Sequence, residues 1–204
     1  MEKWLKWAIE IQSMAQAGLA YTTNVYDIER YEKFRDIAAE MIAEKSNLNL
    51  EEVKGLFCNE KGYQTPKIDT RAAIFKDNKI LLVHENNDTC ALPGGWVDVL
   101  ESVRSNTIKE VKEETGLDAK AIKLIAVQNR NKHNKPVYAY GVCKLFVLCE
   151  VVGGSFEQNI ETTEIKYFSL DELPDNLAEE KTNKEQIEMC FKAYQDENWQ
   201  TQFD

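Results

Sequence analysis

The chain has 204 residues, 43% hydrophobic and 29% charged, with 25 basic against 35 acidic side chains and a formal charge of −10. That balance suits a globular protein of one or two domains, and the negative excess argues against any general attraction to nucleic acid or anionic membranes. No apolar run approaches the ~18 residues of a membrane span, and Lys6, Glu10 and Gln12 break up the first apolar stretch, so no signal peptide is expected.

Trp4, Trp7, Ala8, Ile11, Met14, Ala15 and Leu19 recur at helical spacing and predict an amphipathic helix over 3–20, weakened at its end by Gly18. A second helix is expected over 28–45, with Asp27 as cap and Tyr31, Phe34, Ile37, Ala38, Met41 and Ile42 on its buried face. Asn49 opens a short third helix through Phe57, with Glu52 placed for a capping box. These helices make a small N-terminal domain, residues 1–62, too small for an independent core. It should therefore pack on the rest of the chain or on a second copy, and a homodimer is expected.

After a linker at 62–67 the pattern turns to strands. Ile68–Phe75 and Ile80–His84 read as a hairpin around Lys76-Asp77-Asn78-Lys79, and Cys90–Leu92 as a short extended piece. Ala121–Gln128 is a strand, Asn129–Lys135 a basic loop, and Val137–Val152 a long apolar stretch broken at Gly153-Gly154. Ile165–Ser169 is the next strand. Asp171–Pro174 reads as a turn or short helix, and 183–195 as a closing helix with Ile187, Cys190, Phe191 and Tyr194 inward. Strands interleaved with a central and a late helix predict α/β packing. Cys58, Cys90, Cys143, Cys149 and Cys190 are odd in number and form no CxxC, which suits free thiols in a reducing cytoplasm. Neither His84 nor His133 is linked by sequence to a thiol nucleophile.

The chemistry concentrates in 93–117. Gly94-Gly95 leads to Ser102, an N-cap, and to a helix that Gly116 should terminate in a left-handed conformation. Glu110, Glu113 and Glu114 share one face of that helix at i, i+3 and i+4 spacing. Like charges there repel, and the C-terminal end of the macrodipole disfavours anions. Two readings follow: a hard oxygen-liganded cation such as Mg²⁺ or Mn²⁺, or a solvated acidic face.

Gly95, Glu101 and Lys109-Glu110-Val111-Lys112-Glu113-Glu114-Thr115-Gly116-Leu117 together resemble the Nudix box, the signature of the Nudix hydrolases. Lys109 stands where the family usually has arginine, so it keeps the charge and loses the planar fork. The resemblance implies a Nudix-like α/β/α sandwich around a mixed sheet in residues 66–204, following the helical N-terminal domain. Trp4-Leu5-Lys6-Trp7-Ala8, the Tyr31-Glu32 region and Leu92–Trp96 with Asp98 resemble a bacterial subgroup that carries such an extension and acts on nucleoside diphosphates linked to another group, CDP-choline and ADP-ribose among them.

By that resemblance, Glu110, Glu113, Glu114 and the Gly95 carbonyl hold Mg²⁺, or Mn²⁺, and Glu101 pairs with Lys109 or reaches the metal through water. The general base is a box glutamate (Glu113 or Glu114) or a loop carboxylate, Glu161 or Glu164, with Asp98 and Glu157 behind them. Arg71 lies mid-strand and needs a partner, either a substrate phosphate or an internal salt bridge. Trp96 stacks on a base or belongs to the core. Arg130, Lys132, His133 and Lys135 hold phosphate or form a solvated hairpin. Tyr138 and Tyr140 share a strand face that borders the nucleotide or packs on a helix. The expected activity is metal-dependent hydrolysis of a diphosphate linkage to a nucleoside monophosphate and a phosphorylated product. The alternatives are a nucleoside triphosphate or RNA 5′-end pyrophosphohydrolase and a non-catalytic ligand sensor. Apart from an RNA end, nucleic acid is not an expected partner.

Overall fold

The computed structural model describes residues 2–46, 49–59 and 61–204. Two compact units emerge: Met1–Pro66 with Val137–Gly141, and Lys67–Pro136 with Val142–Asp204. The backbone therefore passes between them after Pro66, after Pro136 and again after Gly141.

The first unit holds α1 (Lys3–Tyr21), α2 (Val25–Glu44) and α3 (Leu50–Phe57). α2 starts earlier than the sequence suggests, because Asn24 rather than Asp27 is its cap. The Asn24 Oδ1 accepts from the amides of Tyr26 and Asp27. Asp27 falls in the first turn, where the helix dipole favours an anion, and pairs with Arg30 at 2.7 Å. α3 carries the expected Asn49–Glu52 capping box. Small side chains set the packing: Ala8, Ala15, Ala38 and Ala39 are fully buried, whereas Trp7 and Met14 are 53% and 65% exposed. The predicted inward face of α1 is thus rotated. Gln12 and Gln16, polar and not foreseen, are buried instead. Gly18 does not end α1; a Cβ there would lie 2.4 Å from the Tyr31 ring, so its smallness admits that ring.

The second unit is built on a mixed sheet of β1 (Lys67–Lys76), β2 (Lys79–Glu85), β3 (Cys90–Ala91), β4 (Leu117–Asn129), β5 (Val142–Gly154), β6 (Thr162–Phe168) and β7 (Gln202–Phe203), ordered β3-β2-β1-β5-β4-β7 with β6 also on β2. β1 and β5 are parallel, as are β4 and β7; the other pairings are antiparallel. Asp77 and Asn78, both at positive φ, make the tight hairpin turn. One face, with Ala72, Ile74, Leu81 and Val147, packs on Val111 of α4 (Val103–Thr115). The other, with Ala73, Leu82 and Phe146, packs on Ile187 and Phe191 of α6 (Lys184–Gln195). This period-two alternation between two covered faces gives the α/β/α layering. Truncating the fully buried Phe146 to alanine would cost about 3–5 kcal/mol.

Several expectations change. The apolar run from Val137 is not one strand, because 137–141 belongs to the helical unit, where Ala139 joins the core of Val53 and Phe57. Gly153-Gly154 does not interrupt β5 but ends it, paired with Asp118 and Leu117. The basic loop contains a one-turn helix, α5 (Arg130–His133), with Arg130 buried. Tyr194 stays partly exposed and stacks on Phe75 at 4.1 Å. None of the described helices is long and apolar enough to cross a membrane.

Candidate active site

Residues 92–97 run beside the first half of β1. Ala72 N donates to Pro93 O (2.8 Å), Thr70 N to Gly95 O (2.9 Å) and Val97 N to Ile68 O (2.9 Å). Gly94, at φ 141°, is pressed so close that a Cβ would lie 1.9 Å from the Thr70 carbonyl oxygen, so only glycine fits. Asn106, fully buried on α4, donates to Thr70 Oγ1 at 3.1 Å and accepts from the Asp98 amide at 3.2 Å. It locks helix, strand and loop in one register.

α4 is bounded at both ends. Ser102 and Ser105 cap each other's amides, and Gly116 takes the left-handed conformation at φ 69°. The helix aims Glu110 and Glu114 at the double glycine. Glu114 is 9% exposed and its Oε2 accepts from Gly94 N at 2.9 Å. Glu110 reaches the next residue, where a Cβ on Gly95 would lie 2.9 Å from its Oε2. Burial pushes the Glu114 carboxyl up to about 7, against the pull of Arg71 and the Gly94 amide. Burial also raises Glu110, against the nearby Lys109.

Glu113 is directed elsewhere. Lys109 draws it outward at 3.2 Å and also meets Asp98 at 3.0 Å and Glu110 at 3.7 Å. These bonds, Asp98 first, hold the Lys109 ammonium far above the usual lysine range. The expected Glu101–Lys109 pair is not formed: Asp98 takes that place, because the Glu101 amide bonds back to the Asp98 carbonyl and turns the loop. Among the described residues no group of three His, Cys, Asp or Glu side chains is close enough to hold an ion unaided.

Arg71 resolves to an internal salt bridge rather than a free phosphate ligand. Its guanidinium, 6% exposed, donates to both carboxylate oxygens of Asp69 (2.8 and 3.2 Å) and to Leu92 O (3.3 Å). Lys144 adds a second cation, 3.0 Å from Asp69. Burial alone would raise Asp69, but Arg71 and Lys144 together hold it below the usual carboxylate range. Burial and the Arg71 charge push Lys144 down to about 8. Sequence reading missed Asp69, Lys144 and Asn106. For the first two a signal existed: Asp69 is two residues before Arg71 and so on the same strand face, and Lys144 sits inside an apolar strand.

Of the loop carboxylates, Glu161 is close enough to Glu110 for its charge to help raise the Glu110 pKa. Glu164 is not in a loop; it lies in β6 opposite His84. Trp96 is 48% exposed and bridges to Asp69, so it is not core. Tyr138 and Tyr140, with ring centroids 5.2 Å apart, are outside any strand and belong to the helical unit, which corrects their placement on a shared strand face.

Residues 66–190 match the NUDIX domain family, and residues 2–57 match Nudix_N, the UDP-X-like N-terminal oligomerisation domain. The chain belongs to the Nudix family. YjhB of Bacillus subtilis (strain 168), provisionally named an ADP-ribose pyrophosphatase, is 40% identical over 203 residues, 99% of this chain and 97% of YjhB. The crystal structure of a UDP-X diphosphatase is similar at TM-score 0.64 and 35% identity, covering 98% of this chain and 97% of that one. A crystallised ADP-ribose pyrophosphatase from Streptococcus suis 89-1591 reaches TM-score 0.64 at 48% identity over 69% of this chain and 100% of its own. None of these names carries the CDP-choline reading.

The protein is thus a Nudix hydrolase, an enzyme acting on phosphorus-containing anhydrides, in a family that uses divalent metals. The donors here suit such an ion. Glu110 and Glu114 offer hard oxygen donors on largely buried side chains at raised pKa, a state that a bound cation would relieve.

Proposed function

We propose that this Nudix hydrolase splits the diphosphate bridge of a nucleoside diphosphate joined to a second group, of the ADP-ribose or UDP-X type, with Mg²⁺ as its ion. The observation that carries the reading is the pair Glu110 and Glu114 set against Gly94-Gly95. Glu110 and Glu114, with the second lone pair of the Gly95 carbonyl and with Glu113 once it lets go of Lys109, are the groups that would hold the ion, which when bound activates water and offsets phosphate charge. The Gly94 amide orients Glu114. We assign Glu161, whose charge reaches Glu110, as the group that takes the proton of the attacking water. Trp96, half exposed beside Gly95, offers a flat apolar surface for a base, and Asp98, held by Lys109, borders the same loop. Arg71 acts from beneath, bracing the loop through Leu92 O.

The enzyme works as a homodimer through its helical unit. Trp7, Met14 and Tyr21 are exposed at seven-residue intervals along α1, and this segment matches an oligomerisation domain. The five free cysteines suit a reducing cytoplasm. The test is a panel of ADP-ribose, a UDP-sugar, CDP-choline and nucleoside triphosphates with Mg²⁺ or Mn²⁺, products being read in labelled water. Metal-dependent turnover of the diphosphate-linked compounds is expected. Metal-independent turnover, or a preference for triphosphates, would sink the proposal.

A further inference from the structure

The segment that carries Glu161 is fastened to α4 by one side chain. Asn159 Nδ2 donates to the carbonyls of Glu113 (2.9 Å) and Glu114 (3.2 Å), among the last of the helix. Helix ends leave such carbonyls without intrahelical partners, and only that of Lys112 is met by the Gly116 amide. The other half of the same amide faces the opposite way: Oδ1 accepts from Glu161 N and Thr162 N, each at 2.9 Å. Close backbone approach brings the segment there. A Cβ on Gly116 would lie 2.4 Å from Ser155 O, and one on Gly154 would lie 2.5 Å from Gly116 O. From the far side, Asn86 N donates to Glu161 O at 3.0 Å and Asn86 Nδ2 to Ile160 O at 2.9 Å. Ile160 is 90% exposed and contributes no packing anchor. The Asn159 and Asn86 side chains, together with the backbone bonds Asn86 N to Glu161 O and Asn159 N to Thr162 O (3.1 Å), therefore hold Glu161 in place.

We infer that Asn159 is a positioning residue for the hydrolysis. Its two N–H donors register the segment on the acidic helix, and its Oδ1 shapes the turn that carries Glu161. The inference rests on Glu161 being the base. A simple helix cap would stabilise α4 without acting through Glu161, and the two roles separate in a double-mutant cycle.

The experiment compares Asn159→Ala, Asn159→Asp, Glu161→Ala and the Asn159→Ala/Glu161→Ala double variant. kcat and KM are read on ADP-ribose with Mg²⁺, and amide hydrogen exchange of residues 159–162 is read in the metal-free protein. Asn159→Ala should lower kcat about 10- to 100-fold, leave KM nearly unchanged and speed exchange at Glu161 and Thr162. Asn159→Asp keeps the acceptors and loses the donors, so kcat should fall while those two amides remain slow. In the Glu161→Ala background, Asn159→Ala should cost no more than about twofold. Equal losses with and without Glu161 would reduce Asn159 to a cap and overturn the inference. So would wild-type kcat in Asn159→Ala beside a collapse in Glu161→Ala, a result that leaves the base reading standing. Wild-type kcat in Glu161→Ala would remove the base reading and the inference together.

Discussion

Two charged clusters flank residues 92–97, and they are built on opposite terms. Beneath the loop, Asp69 is buried between Arg71 and Lys144 and is fully compensated. Above it, Glu110 and Glu114 face the double glycine, offset by the rim lysine Lys109 and by Arg71, which is already committed to Asp69. The lower cluster is closed and structural: charges taken from water have been given partners at hydrogen-bond distance. The upper one is left short of positive charge, which is the condition for recruiting a cation. Type of residue does not separate the two; the count of nearby opposite charges does.

The sharpest way to break this contrast is Asp69→Ala, which strands two buried cations. We expect a loss of about 3–5 kcal/mol, read as a lower urea midpoint at unchanged m-value. A loss below about 1 kcal/mol would mean that the lower cluster is not closed. Glu114→Gln is the counterpart above the loop. It keeps an acceptor for the Gly94 amide while removing charge, so activity should fall on the order of a hundredfold or more with the metal-free melting temperature held or raised. A fully active Glu114→Gln would refute its role.

Lys144 gives a smaller, pH-dependent effect. Its folded pKa of about 8 lies below the ordinary value of 10.5. Between these values the unfolded chain binds the extra proton, so stability rises with pH across that window. Relative to Lys144→Met, the wild type should gain up to about 1.4 kcal/mol per pH unit above pH 8, measured as urea midpoints at matched pH. A constant difference would reject the assignment. The smallest change is Asp98→Asn. Its pair with Lys109 is largely exposed, with 62% of the Asp98 side chain accessible, so the stability loss should stay below about 1 kcal/mol.

Much of this layout was legible in the residues. The Ser102 cap, the Gly116 terminator and the one-sided glutamates of α4 are local features, set by helix geometry and read directly. The hairpin at Asp77-Asn78 was equally clear. What escaped reading was decided at a distance. Lys109 chose Asp98 over Glu101 because the loop turns back on itself. α1 presents alanines and glutamines inward because helix–helix approach favours small side chains over Trp7 and Met14. Val137–Gly141 looked like the opening of a strand because hydrophobicity cannot say which of two cores will claim it.

That last segment has a practical consequence. Because the chain returns to the helical unit for Val137–Gly141, with Ala139 seated beside Val53 and Phe57, the helical unit is made of two separate pieces of sequence rather than one. An engineer who exchanges the amino-terminal module for a relative's must transplant this five-residue excursion with it, or leave the graft with a missing tooth.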